Sequence, residues 1–169
     1  MVDSTEFRNA MAMLGSAVTI VTTDGPAGRF GFTASAVCSV TDSPPTLLVC
    51  VNRSSSNHEH FKTNGVLCVN VLTGDHQSTS GAFANRQLSM QERFSSVNCR
   101  TLKTGSPVIE EALVSLDCRV SKVDEVGTHS IFYCEILELQ QHSEATEGLV
   151  YFNRSYYRLN DELRLAPEQ

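Results

Sequence analysis

The stretch GRFGFTASAVCSVT, residues 28–41, reads as one strand, oddly built at its centre. There Thr33-Ala34-Ser35-Ala36 sets four small residues where a sheet usually carries Val, Ile or an aromatic. Small side chains forfeit burial and have poor strand propensity, so something must come close to this backbone. Two occupants fit. One is a helix packed tightly on the sheet; the other is a flat, rigid ring lying on or beside the strand. In the second case backbone groups and the hydroxyls of Thr33 and Ser35 would bond to the ring's polar edge.

Outward from this stretch, strand signals dominate. SAVTIVTT is β-branched and DGPAG is turn chemistry. Gly25, Gly28 and Gly31 do not make G-x-G-x-x-G and no helical pattern follows them, so they predict a hairpin loop rather than a doubly wound dinucleotide fold. Asp42-Ser43-Pro44-Pro45 breaks the next strand. TLLVCV and GVLCVNVL are short apolar runs, as expected of strands buried on both faces. Later, Val114, Leu116, Cys118 and Val120 alternate with Ser115, Asp117, Arg119 and Ser121, the period of a half-buried strand. SIFYCEILEL and GLVYFNRSYY follow, separated by a polar loop at 140–147.

Helical signals are few. Asp3 or Ser4 can cap a first helix in which Phe7, Ala10, Met11 and Leu14 recur at helical spacing and Gly15 is the stop. Ser56 with Glu59 predicts a capping box, Phe61 an inward position and Gly65 a helix end. Ser89 with Glu92 predicts another in SMQERF, inside 73–106, the least regular part. The expectation is one domain over residues 1–169, mainly β, an antiparallel barrel with a few short helices.

Composition narrows the function. The 169 residues are 41% hydrophobic and 19% charged, with net charge −6, which argues against a nucleic-acid partner. Only three of the 13 basic residues are lysines (Lys62, Lys103, Lys122), a bias compatible with phosphate recognition. Six cysteines, at 38, 50, 68, 99, 118 and 134, form no C-x-x-C and no zinc-ligand spacing, so no metal is expected. No run approaches a membrane span and no signal-peptide pattern opens the chain, which predicts a reduced, cytoplasmic protein.

Two further segments could carry chemistry. In VNRSSSNH, residues 51–58, three serines and an arginine sit between a strand end and a helix start, where unpaired N–H groups hold phosphate well. The alternative is an ordinary loop with Ser56 as cap. In VGTHSIFYCEI, His129 opens a strand; a single histidine is also a common structural residue. His58, His60, His76 and His142 lie in polar surroundings and receive no role. There is no G-x-S-x-G and no spacing that argues for a hydrolase.

Taken in order, FRNAMAMLGSAVTIVTT, GFTASAVCSVTDSPPTLLVCVN, GVLCVNVL, FAN, ERF, VGTH and LVYFNRSYY resemble the small flavin reductase family, NAD(P)H:flavin oxidoreductases that serve two-component monooxygenases. The likeness spans about residues 6–159. Within the family it is nearest to the reductase component of 4-hydroxyphenylacetate 3-monooxygenase, with the flavin reductase of pyrimidine catabolism as the alternative. The resemblance implies a split β-barrel of FMN-binding type, FMN or FAD, NADH or NADPH, a homodimer with flavin near the subunit interface, and an oxygenase that receives reduced flavin. It places Thr33, Ala34, Ser35 and Ala36 against the ring. Val51, Asn52, Ser54, Ser55 and Ser56 would hold the ribityl phosphate. Phe83 would line the flavin site, His129 would lie near the nicotinamide, and Tyr151 and Arg154 near the cofactor pocket. Relatives often carry a Trp after the ERF segment; this chain has none. A flavin-binding module without reductase activity and an oxidase of the pyridoxamine-phosphate type are the competing readings.

Overall fold

The computed structural model describes residues 1–144 and 147–167. Helix α1 (Ser4–Met11) precedes strands β1 (Ser16–Ala17), β2 (Thr19–Thr23), β3 (Phe30–Ala34), β4 (Val37–Asp42) and β5 (Pro45–Asn52). Helix α2 (Asn57–Asn64) leads into β6 (Val66–Val71), and a 3₁₀ turn (Gly74–His76) runs into helix α3 (Gln77–Ala84). Then come α4 (Met90–Ser95), β7 (Cys99–Thr101), β8 (Pro107–Ile109) and a long hairpin, β9 (Val114–Val126) with β10 (His129–Gln141). Strands β11 (Gly148–Phe152) and β12 (Ser155–Leu159) close the order. Part of the expected 140–147 loop is strand, since β10 runs to Gln141, and residues 145 and 146 lie outside the described residues.

Seven strands form one antiparallel sheet in the order β3-β2-β6-β9-β10-β5-β4. The stretch expected to be one strand is two, the end strands β3 and β4, joined through Ser35 and Ala36 alone. Laid flat, the order would hold its ends about 29 Å apart, six spacings of about 4.8 Å. The link from Ala34 to Val37 spans about 11 Å at most. The sheet therefore curls until its edges converge at Ser35-Ala36. No ladder joins β3 to β4 among the described residues, so the curl stays open along that seam. The small-residue stretch is the hinge of the whole architecture.

One apolar cluster fills the inside of the curl, with Phe61, Leu67, Val69, Phe132 and Val49 fully buried. A second, with Ile20, Leu72, Phe83, Ile109 and Leu149, packs on the other face under α3 and β11. That second layer changes the reading of β9. Ser115 and Asp117, expected on a wet face, are buried because the segment leading into β8 covers them. Asp117 accepts from the Thr104 N–H at 2.7 Å and from the Thr104 hydroxyl, and Ser115 donates to Asn70 Oδ1 at 2.9 Å. β6 is buried on both faces as expected, whereas β5 is fully buried on one face only.

The helices correct three local expectations. Asp3 and Glu6 form the capping box of α1, but that helix ends at Met11 rather than Gly15 and buries none of its residues. Ser56 makes no side-chain cap on α2: its backbone is already helical, and Glu59 turns to His58 Nδ1 at 3.0 Å. Gly65 does end α2, in the left-handed region at φ 67° that glycine enters without strain. Helix α3, QSTSGAFA, had no sequence signal because its small polar residues make no amphipathic stripe.

Candidate functional site

A cleft of about 600 Å³ opens at the seam. Phe32, Thr33, Ala34, Ser35 and Ala36 form its floor, and Cys50, Val51 and Asn52 of β5 form one wall. The backbone is fixed here from both sides. Thr19 donates its hydroxyl to Ala34 C=O at 2.7 Å, and the Cys50 N–H donates to Ala36 C=O at 3.0 Å. The helix and the slot, posed as alternatives, turn out to share the strand. Thr33 spends its hydroxyl proton on Ser80 C=O of α3 at 2.6 Å, while Ser35 and Ala36 remain exposed in the cleft.

The serine loop closes one end. Asn52 Oδ1 accepts from the Ser54 N–H at 2.9 Å and the Ser54 hydroxyl at 2.8 Å, so the chain turns back and aims Ser54, Ser55 and Ser56 at the cleft. Arg53 points elsewhere. Its guanidinium donates to Gly127 C=O at 3.2 Å and pairs with Glu125 at 3.1 Å, and its N–H meets Thr128 C=O at 2.9 Å. Arg53 thus ties the serine loop to the β9–β10 turn and lies off the cleft. His129, opposite Asn52 in the β5–β10 ladder, lines the mouth of the cleft with Nδ1 2.8 Å from the Thr128 hydroxyl. Behind it, His58 is buried with Nε2 2.8 Å from Ser130 Oγ, a pin between α2 and β10.

Helix α3 and the residues after it supply the opposite wall through Phe83, Ala84 and Arg86. A group that sequence reasoning missed lies beneath them. Arg93, 6% exposed, donates from one terminal nitrogen to Gly31 C=O at 3.0 Å and Phe83 C=O at 2.9 Å, and from the other to Asn85 C=O at 2.8 Å. Its Nε has no acceptor, and among the described residues no carboxylate pairs with it. Burial pulls its pKa below the usual guanidinium value. Arg93 falls within the ERF segment, but nothing there singles it out, because its partners are carbonyls as far away as Gly31, which no local pattern reveals.

Asn57, 8% exposed, is the second missed residue: it lines the cleft beside the serines, and its Oδ1 is buried without a partner. Tyr151 and Arg154 lie away from the cleft lining. Tyr151 sits on β11, edge-on to Tyr156, and Arg154 occupies the β11–β12 turn at φ 61°, donating to Asn9 Oδ1 at 2.7 Å. All the other residues expected at the site line the cleft.

Charge separates this cleft from one of equal size on the far side of α3. That second cleft, about 620 Å³, is lined by Asp75, Glu111, Glu144 and Glu147. The seam cleft carries Arg86 and Arg93 and no carboxylate, in a chain of net charge −6. Electrostatics favours an anionic ligand at the seam and disfavours one at its neighbour. Two polar atoms of residues lining the seam cleft, Asn57 Oδ1 and Arg93 Nε, are buried without a protein partner.

Comparison with known proteins agrees. The family described as flavin reductase like domain matches residues 11–160. The FMN reductase (NADH) RutF of Serratia proteamaculans is 54% identical over 158 residues, 94% of this chain and 89% of its own. A crystal structure from Haemophilus somnus, provisionally named a flavin reductase, superposes with TM-score 0.90 at 51% identity, covering 94% of this chain and 100% of its own. The NADH:FAD oxidoreductase SgcE6 of Streptomyces globisporus, solved with NAD and FAD fragments, superposes with TM-score 0.87 at 26% identity over 96% of each chain.

Proposed function

Because the chain belongs to the flavin reductase like domain family, we propose that it is an NAD(P)H:flavin oxidoreductase that reduces FMN in the seam cleft at the expense of NADH. The balanced reaction is NADH + FMN + H⁺ → NAD⁺ + FMNH₂, with the flavin as substrate. The nicotinamide and flavin carry the chemistry, and the protein supplies binding, orientation and exclusion of water. The observation that carries the reading is the convergence of the Thr33–Ala36 floor, the serine loop and His129 on one cleft without a carboxylate.

In this reading the ring lies along Ser35 and Ala36, where a larger side chain would fill the slot. Val51, Asn52, Ser54 and the hydroxyls of Ser55 and Ser56 hold the phosphate end. Phe83 packs at the α3 wall, and His129 orients the nicotinamide at the mouth without acting as an essential acid. The test is NADH consumption in air with added FMN, FAD or riboflavin. Consumption that saturates with free FMN supports a reductase; binding of FMN without consumption of NADH or NADPH would leave a flavin-binding module.

The finer features belong to the same reading. The curled, open sheet with its seam at Ser35-Ala36 supports the split barrel. A homodimer would cover α1, whose Phe7 and Met11 are exposed along with Tyr151, Tyr157 and Leu159 on the β11–β12 hairpin. It is also the route by which Tyr151 and Arg154 would approach a cleft. The reduced flavin passes to an oxygenase, and the RutF relatives favour pyrimidine catabolism over 4-hydroxyphenylacetate hydroxylation. No helix among the described residues is long and apolar enough to cross a membrane.

A further inference from the structure

We infer that Asn57 reads the hydroxylated chain between the ring and the phosphate of the flavin, and so makes the cleft select for a polyol-bearing ring. The inference rests on the proposed flavin site. Asn57 is the first residue of α2, directly after the serines, and lines the same cleft. Its backbone N–H meets Ser55 Oγ at 3.3 Å, and only 8% of the residue is exposed. Yet Oδ1, buried, has no donor in the protein. A buried acceptor without a donor carries its full desolvation cost, which a ligand donor relieves.

The chemistry of that ligand group follows from the atom. A carbonyl oxygen only accepts. A phosphate at neutral pH offers oxygen lone pairs and no dependable proton, so Asn57 Oδ1 would face it acceptor to acceptor. The phosphate is served instead by hydroxyls and N–H groups of the serine loop, whose Ser54, Ser55 and Ser56 sit next in the chain. What a phosphorylated flavin presents beside its phosphate is a run of hydroxyls, each able to donate. The ribityl chain supplies the missing donor.

Three probes separate the parts of the ligand: lumiflavin (ring only), riboflavin (ring and polyol) and FMN (ring, polyol and phosphate). Dissociation constants come from quenching of flavin fluorescence without NADH, on the full chain, with folding checked by thermal melting. In Asn57→Leu, which keeps the branched shape and removes the amide, riboflavin and FMN binding weaken by the same factor, about tenfold. Lumiflavin binding is unchanged. Asn57→Asp, which keeps an acceptor and adds charge near the phosphate, retains riboflavin binding within about twofold while FMN binding falls. A loss confined to FMN in Asn57→Leu would assign the amide to the phosphate and overturn the inference. So would equal losses for all three probes, or none. A wild-type protein that binds none of the three would instead sink the flavin reading itself.

Discussion

At the scale of single residues, the site divides into groups legible in the sequence and groups hidden by distance. Thr33 to Ala36 could be singled out because small residues inside a strand contradict local propensity. The serine loop could be singled out because a strand end, three hydroxyls and a helix start are contiguous. Arg93 could not, because its hydrogen bonds to Gly31, Phe83 and Asn85 carbonyls exist only after β3, α3 and α4 have met. Replacing it with Ala orphans three carbonyls and should lower stability by about 3 kcal/mol in urea denaturation; a midpoint within experimental error of wild type would deny it that bracing role. His129→Ala should slow NADH turnover while leaving the FMN dissociation constant unchanged, and an unaltered turnover would remove His129 from the reaction. The thiols give a third check. Cys38 is exposed, whereas Cys68, Cys118 and Cys134 are buried, and burial pushes the Cys134 pKa up to about 12. A thiol reagent on the native protein should modify Cys38 first and reach those three only on unfolding.

At the scale of elements, helix α3 is the part that sequence patterning overlooked. It is held from outside: Thr33 bonds Ser80 C=O, the Ser80 hydroxyl lies 2.9 Å from Tyr156 OH, and Arg93 binds the helix end. A helix stabilised by tertiary partners needs little amphipathic signal of its own. Gly31 shows how close the packing is. A Cβ there would stand 2.8 Å from the Phe83 ring and 3.1 Å from that of Phe94. Gly31→Ala should therefore cost about 1–3 kcal/mol by overpacking. Displacement of Phe83 should also weaken FMN binding, measured by fluorescence quenching. Full stability with unchanged FMN affinity would show that the Phe83 wall gives way freely. The same covering logic explains β9: its polar face was legible as alternation, but the segment that buries Ser115 and Asp117 was not.

For the whole molecule, the architecture follows from one topological fact, that the two end strands of a seven-stranded order are sequence neighbours. The curl brings the small-residue link, the serine loop and the start of β10 to one place, so the residues that make the seam possible also make the slot. Most strands of the large sheet and the hairpin loop at 24–29 were readable from pattern, and they led to the expectation of an antiparallel barrel; β7, β8 and the strand order that leaves the curl open at the seam were not, since order is a property of pairing across the chain. Tyr151 and Arg154, assigned by resemblance, sit on a separate three-stranded sheet, β1-β11-β12, and a single chain does not bring them to the cleft lining. The measurement that bears most directly on the seam as the flavin slot compares wild type with Ala36→Trp. Ala36 is exposed in the cleft, so the indole fills the slot without entering the core. With melting temperature unchanged, the account predicts that Ala36→Trp loses FMN binding and FMN-dependent NADH consumption together. Wild-type affinity and turnover in that variant would place the flavin elsewhere on the molecule.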